Sequence, residues 1–101
     1  MGYAILYHPD IVSQDLSGIP ANIKEIIKRA IEERLLKNPA IAGYPLRRSL
    51  KGYRKLRVGD YRVIHKIQNN LIIILKIGHR KDVYSKVYTR LNWQPVHNQS
   101  S

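Results

Sequence analysis

Between residues 53 and 84 the chain reads YRKLRVGDYRVIHKIQNNLIIILKIGHRKDVY. The side chains here that can do chemistry are cations and phenols: Lys55, Arg57, Arg62, Lys76, Arg80 and Lys81, with His79 and Tyr84. Alternation along extended backbone puts every second residue on one side. Lys55 and Arg57 then share the side opposite Leu56 and Val58. Arg62 stands opposite Val63 and His65, and Lys76 stands in step with Gly78 and Arg80. Parity from three successive strands therefore collects Lys55, Arg57, Arg62, Lys76 and Arg80 on one concave face. Such a face suits a polyanion, because phosphate backbones bind clustered cations through counterion release whatever their sequence. His65 falls on the core side and reads as a packed histidine.

The charge distribution supports this placement. The 101 residues carry 18 Lys+Arg against 7 Asp+Glu, a net charge of +11. Residues 1–45 hold five basic and five acidic side chains, whereas residues 46–90 hold thirteen basic and two acidic and account for the whole excess. Nucleic acid or ribosome contact is the leading implication, and an acidic protein partner the next. With no cysteine, disulfides and thiolate metal sites are excluded. The first ten residues lack the pattern of a signal peptide. The longest apolar run, Leu71 to Leu75, is far below a membrane span, so a cytoplasmic protein with no membrane partner and no small-molecule cofactor is expected.

The positioning elements are legible in outline. Tyr3 to Tyr7 reads as a strand, stopped by His8-Pro9-Asp10. A short helix runs from there to Leu16, with Ile11, Val12 and Leu16 inward, and ends at Gly18. Pro20 suits the first turn of a second helix, whose stripe of Ile23, Ile26, Ile27, Ala30, Ile31 and Leu35 continues to about Lys37. Asn38-Pro39 ends it, and residues 39–50 form a connection. Gly59-Asp60 and Asn69-Asn70 are two-residue turns joining strands 53–58, 61–67 and 71–77. A short helix carries Val83, Val87 and Leu91 at i, i+4, i+8, and 92–101 reads as a frayed tail. The expected class is α+β: one domain over 1–101, an antiparallel sheet of about four strands, two N-terminal helices on one face, a short C-terminal helix, and the other face open and basic.

The order of these elements, with the segments LKGYRKLRVGDYRV (Leu50 to Val63) and GHRKDVY (Gly78 to Tyr84), resembles the RelE/ParE toxin superfamily of type II toxin–antitoxin modules. The resemblance runs from Tyr3 to about Leu91 and implies a RelE-like fold. It implies a ribosome-dependent messenger RNA endonuclease working in the ribosomal A site and inhibiting translation. The 2′-hydroxyl attacks the neighbouring phosphorus, with no metal and no cofactor. Such cleavage needs a base, cations for the phosphorane and an acid for the 5′-oxygen. By motif, the resemblance gives Lys55 as stabiliser or base, Arg62 as holder of the scissile phosphate, Arg80 as stabiliser or acid, and Tyr84 as base or stacking platform. Arg57 becomes a phosphate contact, and Lys76, Lys81 and His79 join it in substrate binding. A phenol titrates near pH 10, so its use as a base requires neighbouring cations. The step from Arg80 to Tyr84 is shorter than in the best-known ribonucleases, which brings Lys81 and His79 forward as substitutes. The resemblance also implies a cognate antitoxin, acidic and partly disordered until bound. The alternative within the superfamily is a ParE-like toxin that binds DNA gyrase and is not a nuclease.

Overall fold

The computed structural model describes residues 2–95. Five strands form one sheet in the order β1-β5-β4-β3-β2, with β1 (Ala4–Tyr7), β2 (Tyr44–Pro45), β3 (Arg54–Val58), β4 (Tyr61–Gln68) and β5 (Leu71–His79). The three long strands form an antiparallel meander. Gly59 at φ +59° and Asn69 at φ +58° make its turns, in the left-handed region that glycine and asparagine tolerate best. β1 is the exception in direction: it pairs parallel to β5, with Ala4 opposite Leu71 and Tyr7 opposite Ile74. The sheet is therefore mixed and has one strand more than expected. The addition is β2, whose two residues lie in the stretch read as a connection and pair with Lys55 and Arg54.

One face of the sheet packs under α1 (Ala21–Ala30), which continues through a wide turn at Ile31–Leu35. Ile27, Ile31 and Leu35 from this helix meet Leu56, Val63, Ile72, Ile74 and Ile77 from the sheet, all nearly or fully buried. This is where the apolar stripe belongs, since a helix buries only the side that faces its sheet. Ile26 lies off that side and is exposed. The short helix after β1 forms as two helical turns, Ile11–Asp15 and Leu16–Gly18. Ile11 is buried there, but Val12, expected inward, is 73% exposed.

The opposite face is not open as expected. Its middle is covered by Leu50 and by a C-terminal segment that opens with α3 (Val83–Lys86). Val83 and Val87 are fully buried against Ile64, Ile73 and Leu75, and Leu91 and Trp93 pack at the margin. The apolar character of β5 on both sides follows, because both sides are covered. The expected frayed tail is thus packed at its start: the Trp93 ring lies 5.0 Å from that of His8, and the Asn92 backbone N–H donates to the Tyr53 hydroxyl at 2.9 Å. The rest of that tail, 96–101, lies outside the described residues. Among the described residues no helix is long and apolar enough to cross a membrane.

Candidate functional site

Beyond its apolar middle the second face ends in a basic stretch in which Arg57 and Arg80 are exposed, Lys55 is half-buried and Arg62 is buried. Register fixes the layout: Arg57 lies directly opposite Arg62, and Arg62 opposite Gly78. Lys55 lies opposite Ile64 in the next row of that face. Like charges in direct cross-strand register cost stability, so an anion between Arg57 and Arg62 would relieve what the bare fold must bear. Arg57 is exposed, whereas Arg62 is buried along its length, its Nη1 donating to the carbonyls of Gly59 and Tyr61 at 2.9 Å each. Those two bonds fix the guanidinium at the β3–β4 turn.

Arg80 extends the same end. Its backbone N–H donates to the Asp60 carbonyl at 2.8 Å, and its Nε lies 3.5 Å from the Asp60 carboxylate. Both side chains are more than half exposed, so the pair is loose and Arg80 is free to turn to a ligand. Tyr84 arrives from α3. Val83 before it packs on Gly78, where even a methyl group would meet Val83 carbons at 3.4 Å. A methyl at Gly78 would thus already be in contact with Val83, and a side chain larger than a methyl would have no room beneath α3. The Tyr84 ring is half-buried, with the Lys55 ammonium 5.9 Å from its centroid. Lys55, Arg57, Arg62, Arg80 and Tyr84 thus come together around the hairpin end of the sheet.

Two expected residues stand differently. Lys76 is buried and does not reach the exposed basic end. A bulge opposite Ile64 and His65 makes Leu75 an extra residue of β5, so that His65 pairs with Ile74 while Ile64 pairs with Lys76, which keeps the side of Ile64 and Gly78. Lys76 turns to the sheet edge, buried, with its Nζ 2.9 Å from Asp15 Oδ1. Substrate contact by Lys76 is therefore replaced by a structural ion pair. His79 pairs with Tyr61, on the side of the sheet away from Arg62, and its ring meets the Tyr61 ring edge-on at 5.7 Å. Its Nδ1 accepts the Lys81 backbone N–H at 3.2 Å, so it shapes the turn that carries Arg80 and Lys81. Lys81 itself is exposed on that turn.

Sequence reasoning missed Asp15 and Arg90. Asp15, fully buried at its side chain, receives Arg90 through two bonds (2.7 and 2.9 Å), Lys76, and the backbone N–H of Ile77. Burial pushes its carboxyl up, but the bonds from Arg90, Ile77 and Lys76 outweigh that and hold it below its ordinary value. Partners 61 and 75 positions away leave no local signal. A second lysine–tyrosine stack, Lys66 over Tyr53 at 5.8 Å, prolongs the basic face beyond Lys55. Among the described residues no group of three or more His, Cys, Asp or Glu converges to hold a metal.

Similarity to known proteins gives the class of this chain. The family model "ParE toxin of type II toxin-antitoxin system, parDE" matches residues 5–84. Toxin RelG of Mycobacterium tuberculosis is 32% identical over 75 residues, covering 72% of this chain and 86% of its own. Toxin RelE of the same organism is 34% identical over 83 residues, covering 77% and 86%. Among solved structures, the RelBE2 toxin–antitoxin complex of M. tuberculosis matches with a TM-score of 0.71 and 28% identity over 79% of this chain and 100% of that one. The RelB–RelE antitoxin–toxin complex of Methanococcus jannaschii matches with a TM-score of 0.61 and 28% identity, over 79% and 95%. The chain belongs to the RelE/ParE superfamily of type II toxin–antitoxin toxins.

Proposed function

We propose that this toxin is a ribosome-dependent endoribonuclease that cleaves messenger RNA in the A site, acts in the cytoplasm, and is restrained by a cognate antitoxin. The observation that carries the reading is the convergence of Lys55, Arg57, Arg62, Arg80 and Tyr84 at one end of one face, with two arginines in direct register. Arg57 and Arg62 bracket the scissile phosphate. The 2′-oxygen bonds to phosphorus as the P–O5′ bond breaks, leaving a 2′,3′-cyclic phosphate and a free 5′-hydroxyl. The 2′ proton leaves to a base, and the departing 5′-oxygen takes a proton from an acid. Guanidinium groups hold their protons too tightly for either transfer, so Arg80 stabilises phosphorane charge and the Lys55–Tyr84 pair moves the protons.

The relatives' solved complexes with antitoxins support a protein partner for this chain. The surplus of cations beyond residue 45 favours an acidic one, steered by complementary charge. The family model is that of a ParE toxin, which favours the second reading within the superfamily, a ParE-like toxin that binds DNA gyrase and is not a nuclease. Primer extension on messenger RNA with and without ribosomes, beside a gyrase supercoiling assay, separates the two. Ribosome-dependent cuts that vanish in the Arg62→Ala/Arg80→Ala double variant are expected. If the RNA stays whole, supercoiling falls and the double variant still arrests growth, the nuclease reading is wrong.

A further inference from the structure

We propose that Arg90 and Asp15 are positioning residues for cleavage: their buried ion pair clasps the C-terminal segment onto the sheet and so sets Tyr84 over Lys55. The kinetic half of this inference rests on the nuclease reading; the structural half does not.

The segment that carries Tyr84 cannot hold itself in place. α3 is one turn of four residues, too short to persist in water without tertiary support. Apolar contacts seat the segment, Val83 and Val87 fully buried and Tyr84, Leu91 and Trp93 partly so. Apolar packing is non-directional, and by itself would let the segment slide along the sheet. Its other polar ties, Ser49 to Tyr88 and Tyr53 to Asn92, lie at exposed positions. Arg90 differs. It is 5% exposed and reaches the N-terminal half of the chain through two bonds to Asp15, with a third to the Leu75 carbonyl at 3.0 Å. Planar fork-to-fork geometry of this kind fixes direction as well as distance.

Asp15 is itself fixed. β1 stops at Tyr7, so the edge of β5 beyond Ile74 has no strand beside it, and the Asp15 carboxylate takes the Ile77 N–H there in place of a strand carbonyl. The clasp thus ties three things at one point: the bare edge of β5, the helical turn after β1, and the segment from Val83 to Trp93. Trp93 lies just past the clasp, partly buried and against His8, and it is the only tryptophan in the chain. It reports whether the segment is seated.

The test uses the full chain with Arg90→Gln and Arg90→Lys. The glutamine removes the charge and the fork but leaves Asp15 with Lys76 and the Ile77 N–H. Trp93 emission should shift to the red and its acrylamide quenching should rise. In ribosome-programmed cleavage kcat should fall by about 10²-fold, as misplacement by an ångström does, with KM held because Arg57 and Arg62 have not moved. Arg90→Lys, which keeps charge but not the fork, should fall between, and it supplies the same readouts if the glutamine variant fails to fold. Unchanged Trp93 emission in these variants overturns the clasp. Shifted emission with unchanged kcat overturns its role in positioning. A wild-type chain that cuts no messenger RNA removes the nuclease reading and the kinetic half with it, while the Trp93 signal still decides the clasp.

Discussion

Acid should destabilise this toxin through His65 as the pH falls below 6.5. His65 is fully buried, its Nδ1 3.0 Å from the Val63 carbonyl, and Gly43 packs against its Nε2. Burial is the main cause, and Arg54 in direct cross-strand register adds to it, so the imidazole is lowered from 6.5 to about 4 despite its bond to Val63. The folded chain therefore resists a proton that the unfolded chain accepts below 6.5. Stability is fully present above that value and is lost as pH falls toward about 4. At 1.36 kcal/mol per pKa unit, about 2 kcal/mol is gone near pH 5 and about 3 kcal/mol near pH 4. That is a large share of the 5–15 kcal/mol typical of a domain. Urea unfolding across this window, in wild type and in His65→Leu, isolates the contribution. His8 is also lowered, by burial first and then by Arg90, so wild type alone would mix two histidines; the difference between the two chains does not. Equal pH slopes in the two chains would refute the assignment.

Two further outcomes follow from the same geometry. Gly43→Ala places a methyl 3.1 Å from both His65 Nε2 and the Lys55 carbonyl, at an ordinary φ of −108°. Overpacking of this kind costs about 1–3 kcal/mol, read as a lower urea midpoint with an unchanged m-value. Tyr84→Phe keeps the ring beside Lys55 and removes only the hydroxyl. Cleavage should lose about 10²–10⁴-fold in kcat, the usual size of a proton-transfer contribution, with KM and melting temperature held; a variant that cuts as fast as wild type would leave the phenol only a stacking role.

Elements with local signals were legible, and those set by distant partners were not. The hairpin turns at Gly59-Asp60 and Asn69-Asn70 carry their own backbone requirements, and the stripe of α1 carries its own period. The parity that grouped Lys55, Arg57 and Arg62 survives because β3 and the first half of β4 are regular. Lys76 also keeps step with Gly78, but it is buried there and held by Asp15, a partner 61 positions away that no spacing rule announces. β2 is two residues long and exists only through its pairing with β3, so its sequence had no period to show. The parallel direction of β1 depends on a partner more than sixty positions away. Val12 shows the limit from the other side: an apolar residue at helical spacing is not thereby buried.

The cover on the second face explains why the site sits where it does. Ile64, Ile73 and Leu75 give that face an apolar middle that water would penalise if left bare. The segment from Val83 onward covers it, and the same segment delivers Tyr84 to Lys55. Burial and chemistry are therefore coupled through adjacent residues, Val83 inward and Tyr84 toward the cations. Gly78 is the hinge of that coupling, since it admits Val83 to the sheet directly beside Arg62. A larger residue at Gly78 would lift Val83 and carry Tyr84 away from Lys55 while leaving Arg57 and Arg62 in register. On the nuclease reading proposed above, the toxin would then hold RNA and cut it slowly, an outcome that a purely electrostatic account of the basic face does not produce.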